Sequence, residues 1–208
     1  HPGAAYLLFP EDRRFPIRMP GDLPRRWIAS GPKKPFSAEA SPGEYFTFQV
    51  GVWAARRSLE DIEVEFTDFK PSAPDPQSGA PSSSAVIPAT AATCLNTGGS
   101  DWDGSPFKKN VPVEKGKIQA LWCGLQVPKD IALGTYQGTV TVVPRGLPGT
   151  AVDVELRVSG PALDDAGDSD PYRMTRLRWL NSRIAFDDDV VAPYTPVKIE
   201  GRLVGCLG

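Results

Sequence analysis

The fold is decided by the stretch GEYFTFQVGVWAARRSLEDIEVEFTD, residues Gly43–Asp68. Its apolar residues recur at every second position in two runs, which are Phe46, Phe48, Val50, Val52 and Ala54, then Ile62, Val64 and Phe66. A period of two is typical of strands that bury one face. Asp61, Glu63 and Glu65 fall on the opposite face of the second run. We therefore predict a pair of strands with one solvent-exposed face and one face that packs into the core. Such a pair forms half of a β-sandwich.

The rest of the chain up to Gly160 continues this pattern. Lys117–Val127 is apolar on both faces, which predicts a central strand, and Gly134–Val143 with Val152–Val158 predicts a hairpin that closes the sandwich. Residues 70–84 are rich in Pro, Ser and Gly and predict a loop. We predict an all-β protein with an antiparallel β-sandwich over residues 1–160.

The composition changes after Gly160. An acidic, turn-rich segment is followed by mixed cationic and apolar residues, with a hairpin predicted about Gly201. We interpret residues 161–208 as a linker and the first elements of a second domain. The chain ends at Gly208 directly after that hairpin and starts at His1 rather than at a methionine. We therefore expect a truncated polypeptide.

Composition narrows the classes of partner. The net charge of −2 and the pI near 5.5 argue against a nucleic-acid partner. No apolar run reaches the roughly 18 residues of a membrane span. Cys94, Cys123 and Cys206 match neither a zinc site nor a dense disulfide framework. We interpret them as free thiols, and a Cys94–Cys123 bridge is the alternative if the protein is exported.

Two groups of residues are candidates for contacts. Trp102 lies between Asp101 and Asp103, and an aromatic face beside carboxylates suits stacking on a sugar ring and accepting its hydroxyl hydrogen bonds. The alternative is a tryptophan that covers one end of the core. Further along, arginines alternate with apolar residues. We predict an interdomain contact through Arg176, Arg178 and Trp179, because guanidinium groups pair with carboxylates and stack on rings.

Two acidic clusters raise the question of a metal site. Asp187–Asp189 are consecutive, so in an extended chain their side chains do not converge on one ion. The carboxylates of Asp164, Asp165, Asp168 and Asp170 have looser spacing but lack the continuation of a helix-loop-helix calcium loop. We interpret both clusters as solvated turns and predict neither a metal nor another cofactor.

Nucleophilic catalysis lacks its usual residues. The sole histidine is His1, so the sequence holds no internal Ser-His or Cys-His pair, and it contains no GxSxG motif. No pair of carboxylates is singled out for acid–base catalysis. We predict that this chain carries no catalytic residues.

Three segments resemble a known family. GEYFTFQVGVWA, LWCGLQVPKDIALGTYQGTVTV and above all TRLRWLNSRIAFDDDVVAPYTPVKIEGRLVGCLG are similar to the N-terminal β-sandwich region of large bacterial proteins related to glycoside hydrolase family 123. The resemblance covers most of the chain. In that family a (β/α)₈ barrel follows the sandwich, and its adjacent Asp-Glu pair cleaves N-acetyl-β-galactosaminides with help from the substrate's acetamido group.

This chain departs from the family in one respect. A barrel needs about 250 residues of alternating strand and helix, and no such pattern is present. The family's acid pair has no counterpart here, and Asp187–Asp189 do not replace it. The resemblance thus implies a non-catalytic accessory domain of a glycoside hydrolase, N-acetyl-β-galactosaminidase-like, that supports or shapes the active site of a barrel in the same polypeptide.

Two alternatives stay open. One is a stand-alone carbohydrate-binding module that uses Trp102 and Trp53 to bind a glycan. The other is a structural sandwich of a surface protein. We expect a bacterial protein that is secreted or periplasmic, with the catalytic barrel as its partner and no nucleic acid or membrane bound.

Overall fold

The computed structural model describes residues 3–72, 85–183 and 189–207, and within them strands dominate. Within these ranges the one α-helix, α1, spans Arg25–Ser30, and 3-10 turns span Ala89–Ala91, Pro171–Arg173 and Thr175–Asn181. The strands are β1 (Leu7–Asp12), β2 (Phe36–Ala40), β3 (Tyr45–Trp53), β4 (Glu63–Phe66), β5 (Lys70–Pro71), β6 (Ala92–Cys94), β7 (Gly98–Ser100), β8 (Pro106–Lys108), β9 (Ile118–Gln126), β10 (Gly134–Val143), β11 (Thr150–Val158), β12 (Lys198–Glu200) and β13 (Leu203–Gly205). None of the described helices is long and apolar enough to cross a membrane.

Two sheets face each other. One has the order β1-β3-β9-β6, and the other has the order β2-β11-β10-β4 with β5 also paired to β10. The pairs are antiparallel except β2 with β11, which is parallel. The predicted all-β sandwich is confirmed. β9 lies between β3 and β6, as expected for a strand that is apolar on both faces.

The alternating residues of β3 form the centre of the core. Phe46, Phe48 and Val50 are at most 2% exposed and point toward the second sheet. There they meet the inward residues of the β10–β11 hairpin, including Tyr136 and Leu156. The predicted hairpin is present, with Val140 opposite Val152 in its register.

The two runs of Gly43–Asp68 do not pair with each other, contrary to the sequence prediction. β3 pairs with β1 and β9 in one sheet, whereas β4 pairs with β10 in the other. Burial explains the difference. β3 is buried on both faces and so occupies a sheet interior, whereas the outer face of β4 carries the exposed Glu63 and Glu65 and suits an edge.

The outer face of β3 is covered by two separate segments. Trp27 of α1 lies over Gly51, where an added Cβ would sit 2.2 Å from the indole ring, so only glycine fits beneath it. The same indole stacks on Phe9 with ring centroids 4.7 Å apart. Residues after β11 cover the other half, around Thr47. This second cover positions the candidate site.

The predicted loop over residues 70–84 begins later than expected. Lys70 and Pro71 form β5 and extend the second sheet, because their register places them opposite Gln137 and Tyr136 of β10. Residues 73–84 lie outside the described residues. The hairpin predicted about Gly201 is present as β12 and β13. The division of the chain at residue 160 stays a prediction.

Candidate ligand and interdomain site

Trp102 lies at the tip of the β7–β8 hairpin. The hairpin is closed by hydrogen bonds from Asp101 N to Ser105 O (2.8 Å) and from Gly104 N to Asp101 O (2.9 Å). Gly104 has a φ of +79°, a left-handed conformation that glycine adopts without strain. The indole of Trp102 is 86% exposed, so it does not cover the core. An exposed aromatic ring on a short, closed turn is available for a partner or a ligand.

The two neighbouring carboxylates also hold this turn together. Asp101 Oδ1 accepts from Trp102 N at 2.7 Å, and Asp103 Oδ1 accepts from Ser105 N at 2.9 Å and from Ser105 Oγ at 2.5 Å. The hydrogen bonds from Ser105 lower the pKa of Asp103. Both residues are exposed, and each uses Oδ1 for the turn. The predicted role of Asp101, Trp102 and Asp103 as ligand contacts stays a prediction.

A buried carboxylate ties the segment after β11 to the sandwich. Glu44, which is fully buried, accepts from Arg13 Nη1 on Oε1 and from Arg173 Nη1 on Oε2, both at 2.5 Å. Its Oε2 also accepts from Ser41 N at 2.9 Å. Arg13 directly follows β1, Glu44 directly precedes β3, and Arg173 follows the last strand of the sandwich. One carboxylate therefore joins three distant parts of the chain.

We call residues 161–183 the connector, and its backbone also bonds to the first sheet. Tyr45 N donates to Ala166 O at 3.0 Å, and Thr47 Oγ1 donates to Arg173 O at 3.0 Å. Tyr45 itself lies against Gly124, where an added Cβ would be 2.1 Å from its hydroxyl oxygen. Burial raises the pKa of Tyr45 to about 12, so the phenol stays neutral. The connector is packed on the sandwich at these points.

Arg178 and Trp179, two of the three predicted interdomain residues, converge on the carboxylate of Asp168. Its Oδ2 accepts from Arg178 Nη2 and, at 3.1 Å, from Trp179 Nε1, while Thr175 Oγ1 donates to Oδ1 at 2.8 Å. Arg176 donates from Nε to the backbone oxygen of Asp168 at 3.0 Å, and its guanidinium lies 5.4 Å from the Trp179 ring centroid. These side chains are thus held in place within the connector. Trp179 remains 53% exposed.

The end of the connector contacts the Trp102 hairpin. Asn181 Oδ1 accepts from Ser100 N at 3.4 Å, and it fills the space at Gly99, where an added Cβ would be 2.1 Å from the same oxygen. Arg183 Nη2 donates to Gly104 O at 2.6 Å. The two groups that the sequence nominated separately therefore lie side by side in one region.

Exposed apolar residues continue from the connector into the last hairpin. They are Trp179, Leu180, Val190, Val191, Tyr194, Val197, Ile199, Leu203, Val204 and Leu207. Exposed apolar side chains in two neighbouring segments of the chain are available to meet another protein surface. The predicted interdomain role stays a prediction. Ile184, Phe186, Asp187 and Asp188 lie outside the described residues.

The acidic linker residues act as local hydrogen-bond acceptors. Asp165 accepts from Gly167 N and Ser169 N, and the hydrogen bonds from Ser169 and Gly167 lower its pKa to about 2. Within the ranges that the structure describes, no three Asp, Glu, Cys or His residues are grouped so that they could hold a metal ion.

Trp53, the second aromatic candidate, is only partly exposed and packs beside Phe9 and Trp27.

Sequence reasoning missed the residues that assemble this region. Glu44 was passed over because a lone glutamate before a strand is unremarkable until its two arginine partners are known. Asp168 was assigned to a solvated turn. The sequence did carry one signal, the Gly98–Gly99 pair, because adjacent glycines in a strand mark a close approach of another chain segment.

A family model described as the glycoside hydrolase 123 N-terminal domain matches residues 28–144. No curated protein matches the sequence. Among solved structures, a family 123 glycoside hydrolase from Clostridium perfringens is similar at a TM-score of 0.51 and 15% identity, over 76% of this chain and 28% of that enzyme. The chain thus spans well under a third of the enzyme's length, and the likeness concerns the fold.

Two further solved structures are similar at lower scores. A PapD-like domain of human CEP192 has a TM-score of 0.35 and 15% identity, with 62% of this chain and 84% of that chain covered. Spo0M, a sporulation control protein of Bacillus subtilis, has a TM-score of 0.36 and 9% identity, with 59% and 45% covered. Both scores are too low to bear on fold or function.

Proposed function

Because this chain belongs to the glycoside hydrolase 123 N-terminal domain family, we propose that it is the non-catalytic accessory domain of a glycoside hydrolase whose barrel follows in the same polypeptide. Its sandwich holds the connector and the Trp102 hairpin in a fixed relation to that barrel. The proposed substrates are glycans that end in N-acetyl-β-galactosamine. This substrate class is what the family resemblance implies, and the described activity of the solved relative, glycolipid glycan hydrolysis, also concerns glycans.

The observation that carries the proposal is the contact between the connector and the Trp102 hairpin. Asn181 and Arg183, at the end of the connector, bond to Ser100 and Gly104 of the hairpin. The described part of the connector therefore ends beside the Trp102 hairpin. A barrel attached there has Trp102 at its border, where the exposed indole can stack on a sugar that enters the active site.

The anchoring of the connector supports the same proposal. The Glu44 ion pairs and the Asp168 cluster fix the connector over most of its length. A fixed exit direction is what an accessory domain needs in order to shape a neighbouring site, since misplacing a contact group by about 1 Å costs up to a hundredfold in rate. The exposed Trp179 and Leu180 are the proposed contact surface for the barrel.

Replacement of Trp102 tests this assignment in the complete natural polypeptide. We expect Trp102→Ala to lower kcat/KM on an aryl N-acetyl-β-galactosaminide about threefold to tenfold, the factor that one aromatic stacking contact supplies. Phe15→Ala is the matched control, because Phe15 is also exposed but contacts Arg14 and Arg26 instead. Equal losses in the two variants, or none in Trp102→Ala, would contradict the placement of Trp102.

A stand-alone carbohydrate-binding module is the second candidate, and the 86% exposure of Trp102 is the observation that favours it. Titration of the isolated chain with N-acetylgalactosamine-terminated oligosaccharides separates the two functions. The accessory proposal expects no saturable binding without the barrel. Saturable binding that disappears in Trp102→Ala would instead establish the module.

A further inference from the structure

Cys94 and Cys123 lie directly opposite each other on neighbouring strands of the first sheet. Cys94 ends the edge strand β6, and its register partner on the central strand β9 is Cys123. Both are buried free thiols, 6% and 0% exposed. The third cysteine, Cys206, is exposed beyond the last hairpin. The two buried thiols therefore form a pair from which Cys206 is separate.

The hydrogen bonds beside this pair identify its type. Leu95 N donates to Trp122 O at 2.9 Å, and these two residues are the next opposed pair along the ladder. Antiparallel pairs alternate between hydrogen-bonded and non-hydrogen-bonded types. Cys94 and Cys123 are therefore a non-hydrogen-bonded pair, whose Cα atoms are about 4.5 Å apart with side chains close together. That separation lies within the range that disulfides span.

We propose that Cys94 and Cys123 close into a cross-strand disulfide when the folded protein meets a small-molecule disulfide. The Cys94 thiolate attacks the small disulfide, forms a mixed disulfide and releases one small thiolate. Cys123 then gives up its proton, attacks Cys94 Sγ and displaces the second small thiolate. Two protein thiols are oxidised, one small disulfide is reduced to two thiols, and the two protein protons end on those thiols.

Cys94 is the attacking residue for two reasons. It lies on an edge strand of three residues, which opens more readily than the central strand β9. Cys123 Sγ donates to Leu121 O at 3.9 Å in the structure, and the ability of the same thiol to hydrogen-bond to a Cys94 thiolate lowers the pKa of Cys94. Cys123 is fully buried, and the same hydrogen bond to Cys94 together with burial raises its pKa, so it suits the second step.

The disulfide would close the loop of residues 95–122, which contains the whole Trp102 hairpin. The start of this loop is already held, because Asn96 Oδ1 accepts from Trp122 N at 2.6 Å and Thr97 Oγ1 donates to Cys94 O at 3.1 Å. A covalent bond between β6 and β9 would fasten the base of the hairpin to the centre of the sheet. This inference does not depend on the proposed function.

The test uses the Cys206→Ser variant, which removes the exposed thiol without touching the core. The folded variant is incubated with oxidised glutathione and then denatured in the presence of an alkylating agent. Its mass is measured by mass spectrometry without reduction. We expect the mass to fall by two hydrogen atoms, no alkylation, and a cross-link between the peptides that contain Cys94 and Cys123. As a control, the same variant is oxidised in denaturant, which shows that both thiols can react when they are exposed.

Three outcomes would overturn the proposal. They are alkylation of both cysteines after native oxidation, a glutathione adduct that persists on Cys94, and an equal loss of hydrogen in the Cys94→Ser variant of the same background. If Cys94→Ser does not fold, Cys94→Ala in the same background serves the same purpose, because alanine is tolerated more readily than serine at a buried position.

Discussion

Replacing Glu44 with alanine is expected to lower the free energy of unfolding by about 3 to 5 kcal/mol, the usual cost of leaving a buried ion pair without one partner. Glu44 is fully buried, and the side chain of Arg13 is only 13% exposed. Alanine at position 44 leaves two guanidinium groups without their shared carboxylate and Ser41 N without its acceptor. Urea denaturation measures the change.

Glu60→Ala is the matched control, because Glu60 pairs with Arg145 at 2.6 Å on an exposed surface. Such a pair contributes at most about 1 kcal/mol. Hydrogen exchange in Glu44→Ala should also show faster exchange at Tyr45, whose amide donates to Ala166 of the connector. If the two variants lose the same stability, Glu44 does not anchor the connector as described.

Trp27→Ala is expected to cost about 3 to 5 kcal/mol, as truncations of large buried aromatic residues do. Trp27 is 3% exposed, stacks on Phe9 and donates from Nε1 to Glu11 Oε2 at 2.8 Å. Its loss leaves a cavity over Gly51 and removes one partner of a carboxylate that is itself 7% exposed. Thermal or urea unfolding measures the effect.

Trp102→Ala is the control for this variant, since the same side chain is removed from an 86% exposed position. We expect its free energy of unfolding to stay within about 0.5 kcal/mol of the parent, as is usual for surface substitutions. A loss at Trp27 that is no larger than the loss at Trp102 would mean that α1 does not cover the first sheet.

Alternation predicted the long strands of the sandwich but not β2, β5 or β7, and it did not predict how the strands pair. The period of two in Phe46, Phe48 and Val50 marked β3 correctly, because which residues face the core is a local property of the strand. The neighbours of β3 lie about 40 and 70 residues away, in β1 and β9, and local pattern carries no information on such partners. For this reason the sequence predicts β4 beside β3, whereas the structure has β4 beside β10.

The candidate site was predictable only in part. The sequence singles out Trp102 but leaves open whether its ring is exposed or covers one end of the core, and the structure shows that it is exposed. Arg178 and Trp179 both contact Asp168, ten and eleven residues earlier in the same connector, which the sequence pattern does not predict, and their interdomain role stays a prediction. Charged residues find partners wherever the fold brings opposite charges together, and Glu44 shows this over 129 residues of sequence separation from Arg173.

We propose that this chain is an accessory domain without catalytic residues of its own. This proposal is tested most directly by measuring nitrophenol release from an aryl N-acetyl-β-galactosaminide by the purified chain and by the complete natural polypeptide. We predict release by the complete polypeptide and none above a buffer blank by residues 1–208 alone. Turnover by the chain alone that a single Asp or Glu substitution abolishes would place a catalytic residue on this chain.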